Sequence, residues 1–367
     1  VMNREGAKTK YHETRYSWSP ELLEAVCREG AAPVLDHYGL DPAFIDAIED
    51  RGRAAGSPFS DDDYRDLVPS PLRSTRLTRR EIGLNFGGNH FLEVQAVDRI
   101  TDAAQAEQWG LRPGQIMVMY HLGPGPLGSM LSNLHATREK PPVHRRAGYR
   151  VGRLLMHAGR GRARYDAFCR TRSWAAIDAD SPEGQRLALV LAVIKNYGYG
   201  YRMGTVKAIG DALDEVFAVG DDFDLLVDMS HNILHPEQYG TEELWDSRHN
   251  CFRPFEGFPG IVAGNHQVPS YLTVGPPGCD DRLGGYDHGV GSLLLEAERD
   301  DPVDPDSRGY DVRRVRMKRG STEIGSVELL PLLDTRVIDE TMEELTRQGH
   351  TRPVATVRPL GTLKHIV

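Results

Sequence analysis

The sequence predicts an α+β fold, a single mixed domain over residues 1–367. Three observations carry that expectation. Short apolar or alternating runs, bounded by glycine and polar residues, read as strands. One long helical pattern crosses the middle of the chain. No internal repeat and no clean linker divides a chain whose length suits one large domain or two smaller ones, and its 40% hydrophobic content can fill a substantial core.

In order along the chain, Tyr16 to Arg53 reads as mostly helical and Gly56 to Pro71 as a loop. Glu93 to Asp98 and Gln115 to Tyr120 alternate or run apolar over short lengths, as strands do. Ser181-Pro-Glu-Gly opens a helical pattern from Gln185 towards Val216, with Ser181 as N-cap and Pro182 at the first helical position. Phe223 to Met229 reads as a short buried strand, and the Pro/Gly-rich region Pro254 to Gly291 mostly as loop. Asp300 to Asp311 is acidic and proline-bearing, which suggests a surface excursion. Asp339 to Gln348 reads as a last helix and Val354 to Leu363 as a final strand.

Composition excludes several classes. The four cysteines (Cys27, Cys169, Cys251, Cys279) are far apart and form no C-x-x-C pair, which argues against a disulfide scaffold or zinc knuckle and fits a reducing compartment. No run is apolar and long enough to span a bilayer and no signal-peptide pattern opens the chain, so a cytoplasmic location is expected. The balance is acidic, 53 Asp plus Glu against 44 Lys plus Arg. Against that background, eleven basic residues fall between Arg138 and Arg172, opposed by Glu139 and Asp166 alone. Tyr149, Tyr165, Phe168 and Trp174 lie in or beside the stretch. Such a segment suits a surface that follows phosphates, Arg145, Arg146 and Arg150 among its candidates, or a solvated helix face with no partner.

Of the 14 histidines, three share a local pattern. His90 opens the run FLEVQAV, just after Gly87-Gly88. His121 closes IMVMYH before the tight sequence LGPGPLG, and His231 closes DLLVDMSH. Strand ends are where rigid elements deliver polar side chains to a common site, and imidazole is a ligand for zinc, manganese or iron. His288 is different. It stands in YDHGVGS among Gly284, Gly285, Gly289 and Gly291, where it could be nucleophile, base or simply a turn residue.

The order of these motifs resembles the RtcB-type RNA ligases. That family carries G-G-G-N-H-F-x-E, H-x-G-x-x-x-L-G, A-H-N-I, H-G-A-G-R and R-P-L-G-x-x-K. The matches here are Gly87 to Glu93, His121 to Gly128, Ser230 to Ile233, His288 to Gly291 and Arg358 to Lys364. The resemblance implies Mn²⁺ held by His90, His121 and His231, and GTP as the source of a guanylyl group carried by His288. It implies guanylate contacts from Asn89, Phe91, Glu93 and Lys364. It also implies RNA as partner: a 3′-phosphate or 2′,3′-cyclic phosphate end joined to a 5′-hydroxyl, as in tRNA splicing or RNA repair. On this reading His90 faces the metal while Asn89, Phe91 and Glu93, across the pleat, face the nucleotide.

The sequence also departs from the family pattern. No D-x-x-C-G motif is present, since Cys27 lies in CREG; truncation and divergence are both open as the reason. Gly125 and Ser292 stand where the family has arginines. Ser247-Arg-His-Asn-Cys-Phe-Arg253 replaces H-R-K-G-A-T-R, and Ala263 to Tyr271 replaces P-G-S-M-G-T-A-S-Y. A guanidinium grips phosphate in a way glycine or serine does not. The alternative is therefore a non-ligating paralog that binds nucleotide or RNA, with a metal-dependent hydrolase as a third reading.

Overall fold

A computed structural model describes residues 15–74, 77–80, 82, 90–135, 143–170, 177–220, 222–280, 284–291, 312–317, 324–330 and 335–363. The fold is α+β. The chain forms two compact units, one from residues 1–84 and 123–224 and the other from 85–122 and 225–367.

The first unit is helical. It contains α1 (Pro20–Glu29), α2 (Ala32–Tyr38), α3 (Asp61–Leu67), α4 (Gly125–His135), α5 (Val143–His157), α6 (Arg162–Phe168) and α7 (Pro182–Phe217), with short helical turns at Pro42–Ala47, Glu49–Gly52, Ser70–Ser74 and Leu77–Arg80. The expected start of α7 is present: the Ser181 hydroxyl accepts the Gly184 N–H at 3.1 Å and Pro182 opens the helix. Its middle is fully lined by core side chains, Val190, Val193, Tyr197, Tyr199 and Met203 among them. Trp18 meets Tyr197 edge to face at 5.7 Å and donates its indole N–H to the Tyr38 hydroxyl at 2.9 Å.

Two readings of this part of the chain need correction. The stretch Gly56 to Pro71 is not all loop, because it contains α3. Ser60 caps that helix through the Asp63 N–H, three aspartates fill its first turn, and Tyr64 and Leu67 are buried. Phe223 to Met229 forms no strand. Its apolar residues serve two cores: the Phe223 ring lies against Phe44 in the helical unit, whereas Leu226 and Met229 join clusters of the second unit. A run divided that way cannot pair along one edge.

Among the described residues the strands fall in the second unit: β1 (Phe91–Ile100), β2 (Ile116–His121), β3 (Asn232–Tyr239), β4 (Glu242–His249), β5 (Cys251–Phe252), β6 (Pro259–Val262), β7 (Ser270–Val274), β8 (Tyr286–Asp287), β9 (Val312–Met317), β10 (Ile324–Leu330) and β11 (Arg352–Leu363). The main sheet has the order β2-β1-β11-β7-β6, antiparallel throughout. Hairpins β3–β4 and β9–β10 and the short pair β5–β8 complete it. β6, β7 and β8 lie inside the region read as loop from its glycines and prolines; all five residues of β7 are buried, so the sheet uses the short apolar runs between those breakers. Helix α8 (Arg336–Arg347) buries Ile338 and Met342 in a cluster with Phe252, Val262, Tyr271 and Tyr286, and Tyr271 donates to Asp339 at 2.6 Å. A second cluster joins Val97, Leu272, Val274, Val354 and Val357.

Candidate active site

The site is built at strand ends of the second unit. His121 is the last residue of β2 and pairs across the ladder with Phe91, the first residue of β1. His90 therefore arrives beside it, and the two rings lie 5.8 Å apart. His231 directly precedes β3, and Cys251, at the start of β5, donates its N–H to the His231 carbonyl at 3.1 Å. His288 follows β8, which pairs with β5. Three separate strand pairs thus deliver their histidines to one place.

The ligand atoms of His121, His231 and His288 all lie within 4.8 Å of one another. His121 Nε2 and His231 Nε2 are 3.1 Å apart, so a proton or a cation must stand between two ring nitrogens that would otherwise oppose lone pairs. Two metal–imidazole bonds of ~2.1 Å span such a separation, and three partly buried imidazoles are a donor set for a borderline-soft divalent ion. The residues fit a metal. Burial lowers the pKa of His90 below the ordinary imidazole value, which keeps that ring neutral with a lone pair to offer.

His288 is held from behind. Its Nδ1 lies 2.9 Å from the Asn250 carbonyl and 3.0 Å from Asp287 Oδ1, and both oxygens can only accept. Nδ1 therefore carries the proton and Nε2 keeps its lone pair. The backbone fixes the residue as well: His288 N–H donates to the Asn250 carbonyl, and the His288 carbonyl accepts from Ala263 N–H, both at 3.0 Å. A Cβ at Gly289 would stand 2.7 Å from the Ala263 carbonyl oxygen, so the close approach of these two strands requires glycine there. The His231 and His288 rings stack at 4.5 Å and 5°, with Phe252 edge-on to both.

The predicted residues distribute as follows. The structure brings together His121, His231 and His288, with His90 and Phe91 at the margin. Phe91 points its ring to His121 at 5.4 Å, on the histidine side rather than across the pleat from it. Glu93 is buried, and burial raises its pKa against hydrogen bonds from Thr362 Oγ1 (2.6 Å) and Gln95 Nε2 (2.7 Å). Asn89 and Lys364 lie outside the described residues; β11 ends at Leu363, opposite Leu92. Arg146 and Arg150 are exposed on α5, and Arg145 belongs to the same helix, its side chain outside the described set. Arg138, Lys140, Arg172, Trp174 and Ser292 also lie outside it.

Sequence reasoning missed the Asn250 carbonyl and Asp287, which set the His288 tautomer, and Phe252, which flanks the cluster. It also missed Asp228, buried and bonded to the Tyr120 hydroxyl at 2.9 Å. Position beside the histidines in DMSH and YDH was the only signal for the two aspartates.

The departures have physical causes. Gly125 has φ +64°, and a Cβ there would come within 2.8 Å of Tyr197 and 2.9 Å of Tyr201, so tyrosines of α7 occupy the space an arginine would need. Arg253 is engaged by the buried Glu237, which also takes Arg248; Arg248 Nε reaches Asp246 at 2.9 Å. Cys27 is fully buried in α1, and desolvation pushes its thiol up, away from the thiolate a metal requires.

Comparisons with known proteins identify the family. The family model described as tRNA-splicing ligase RtcB matches residues 4–365. The RNA-splicing ligase RtcB of Mycobacterium tuberculosis is 28% identical over 77% of this chain and 65% of its own length. The tRNA-splicing ligase RtcB of Methanopyrus kandleri is 26% identical over 98% of this chain and 38% of its own, and that of Archaeoglobus fulgidus 24% identical over 96% and 72%. The chain thus spans between about two fifths and two thirds of the length of the first relatives it matches. With a family match across nearly the whole sequence, the chain belongs to the RtcB family.

Proposed function

We propose that this protein is an RNA ligase that uses GTP and Mn²⁺ to join an RNA 3′-phosphate or 2′,3′-cyclic phosphate end to a 5′-hydroxyl, in tRNA splicing or RNA repair. We further propose that the two units act as one catalytic domain in the cytoplasm. The observation that carries the reading is His288, with Nδ1–H committed to the Asn250 carbonyl beside the His121–His231 pair. The names of the relatives, RNA-splicing and tRNA-splicing ligases, support the substrate class.

In this reading His90, His121 and His231 hold the metal, which supplies charge neutralisation at the phosphates when bound. His288 Nε2 attacks the α-phosphorus of GTP; an N–P bond forms, the α–β phosphoanhydride oxygen leaves with pyrophosphate, and the guanylyl group stays on the ring. A 2′,3′-cyclic end is first opened by water, which breaks the P–O2′ bond. The RNA 3′-phosphate then displaces the imidazole, and the 5′-hydroxyl, losing its proton, displaces GMP as the new phosphodiester forms. Asp287 and the Asn250 carbonyl hold the Nδ1 proton and stabilise positive charge as it develops. Phe91, Glu93, Asn89 and Lys364 receive the guanylate; a carboxylate already accepting from Thr362 and Gln95 retains lone pairs for a guanine N–H.

Intact-mass spectrometry after incubation with GTP and Mn²⁺ tests this. One GMP on the wild type, absent from His288→Ala, is expected; a wild type without adduct removes the reading. A specific observation also favours the non-ligating alternative: Arg248 and Arg253 are paired with Glu237, and Gly125 excludes an arginine. An adduct formed without any joined RNA product would select that alternative.

A further inference from the structure

The helical unit carries a second concave feature with chemistry of its own. A pocket of about 590 Å³ is lined by Ala158, Gly159, Gly161, Arg162, Tyr165, Asp166 and Arg170. That volume suits one nucleotide. No heavy atom lies within 4 Å of where a Cβ would stand on Gly159 or Gly161, so the floor is bare backbone that a sugar-phosphate can approach. The Arg162 side chain is 93% exposed and that of Arg170 48%, and both guanidiniums lean towards Asp166 at 3.7 and 3.3 Å. Surface pairs of this kind contribute little, so a phosphate can take either guanidinium from the carboxylate at small cost. Tyr165 lies one residue before that aspartate and is 39% exposed, available to a base.

Charge complementarity identifies the occupant. Residues 143–170 hold eight arginines against Asp166, in a chain whose formal net charge is −9. Opposite charge favours a polyanion as the occupant of so basic a segment.

We propose that this pocket is a docking subsite for single-stranded RNA, with a base stacked on Tyr165 and the flanking phosphates on Arg162 and Arg170. The inference rests on the RNA-ligase reading for its choice of polyanion. It adds a site built from other residues than the histidine cluster, where RNA is held and not cut or joined. An anionic lipid surface is the competing source of phosphate. Val151 and Leu155 on α5 are 55% and 81% exposed and would suit it, but they do not line the pocket, and a concave site fits a strand better than a bilayer.

The test measures fluorescence anisotropy of a short labelled single-stranded RNA bearing 5′-hydroxyl and 3′-phosphate ends, with chelator present and no GTP. The double variant Arg162→Gln/Arg170→Gln should weaken binding about tenfold and flatten the slope of log K against log salt by about 1.4, the value for two single-strand phosphates. Tyr165→Ala should weaken binding roughly 5- to 100-fold and Tyr165→Phe should restore it, as stacking requires. Unchanged affinity and slope in the arginine variant would overturn the proposal, as would a wild type that binds no RNA. So would variants that lose phosphatidylserine vesicles and keep RNA. The GMP adduct, assayed on the same preparations, separates the two ideas. Its absence from a wild type whose RNA binding follows these variants removes the ligase reading and leaves the subsite. Its presence with indifferent variants does the reverse.

Discussion

Two groups of histidines occupy this chain with nearly equal ring spacing and opposite chemistry. In the strand-built unit, His121 and His231 stand 4.8 Å apart, partly exposed, with their Nε2 atoms facing one another. In the helical unit, His135 and His157 stand 5.2 Å apart and are 1% and 0% exposed. There His135 Nε2 donates to the Leu67 carbonyl at 3.1 Å, and His157 Nδ1 accepts the Arg164 Nε–H at 3.2 Å while its ring stacks on Phe168 at 4.6 Å. Proximity of imidazoles is therefore not a metal site. What separates the two is whether lone pairs converge on a space an ion can enter, or whether each ring is committed to a helix neighbour and a cation, Arg164, already faces them.

The largest expected effect tests that distinction directly. His231→Ala or His121→Ala should reduce bound Mn²⁺, read by elemental analysis, from about one equivalent to background. His157→Ala should leave metal content unchanged while lowering stability by ~2–5 kcal/mol, the range for emptying a large core side chain. Metal lost equally from all three variants would mean that the buried pair is a ligand set and the comparison is wrong.

A middling effect sharpens the other side. Burial and then Arg164 depress the pKa of His135 to about 4, and burial, the His135 ring and Arg164 that of His157 to about 3, from an ordinary 6.5. The unfolded chain takes up protons below pH 6.5 that the folded pair refuses, so the pair's contribution is complete above pH 6.5. It falls as pH drops and is gone once both rings protonate, near pH 3. His157→Phe keeps the ring volume and removes one titrating site, so its unfolding midpoint should decline less steeply between pH 6.5 and 4. Parallel wild-type and variant curves, followed by urea unfolding, would assign the slope elsewhere.

The smallest effect concerns the tautomer of His288. Asp287→Asn removes one of two acceptors at Nδ1 and leaves the Asn250 carbonyl at 2.9 Å. GMP adduct formation should slow less than about tenfold, within the cost of one hydrogen bond. A complete loss would show that the carboxylate, not the carbonyl, sets the proton.

Much of the fold was legible because its signals are local. The Ser181-Pro182 start, the last helix and the edge of the sheet at β1, β2 and β11 all follow from caps and periodicity. The strand-end placement of His90 and His121 was legible for the same reason. His231, by contrast, stands before β3 and not after a strand through Phe223 to Met229, and His288, read in a glycine-rich turn, follows β8. Which histidines meet was less legible: His288 lies as near the His121–His231 pair as a ligand would, brought there by the β5–β8 pairing and the bridge to Ala263. Phe223 to Met229 misled because an apolar run says that it is buried and not in which core. Arg253 is engaged by Glu237, sixteen residues away in sequence, a pairing across strands that no local motif announces.

Asn250 adopts φ +59°, a left-handed conformation that asparagine tolerates, and its side-chain neighbour Asn232 accepts its N–H at 2.9 Å. The carbonyl so aimed belongs to the main chain, so no substitution deletes it. Side-chain changes elsewhere, such as glycine at 125, leave that main-chain acceptor of His288 Nδ1 in place. For His288, the proposed nucleophile, the partner at Nδ1 is the path of the chain itself.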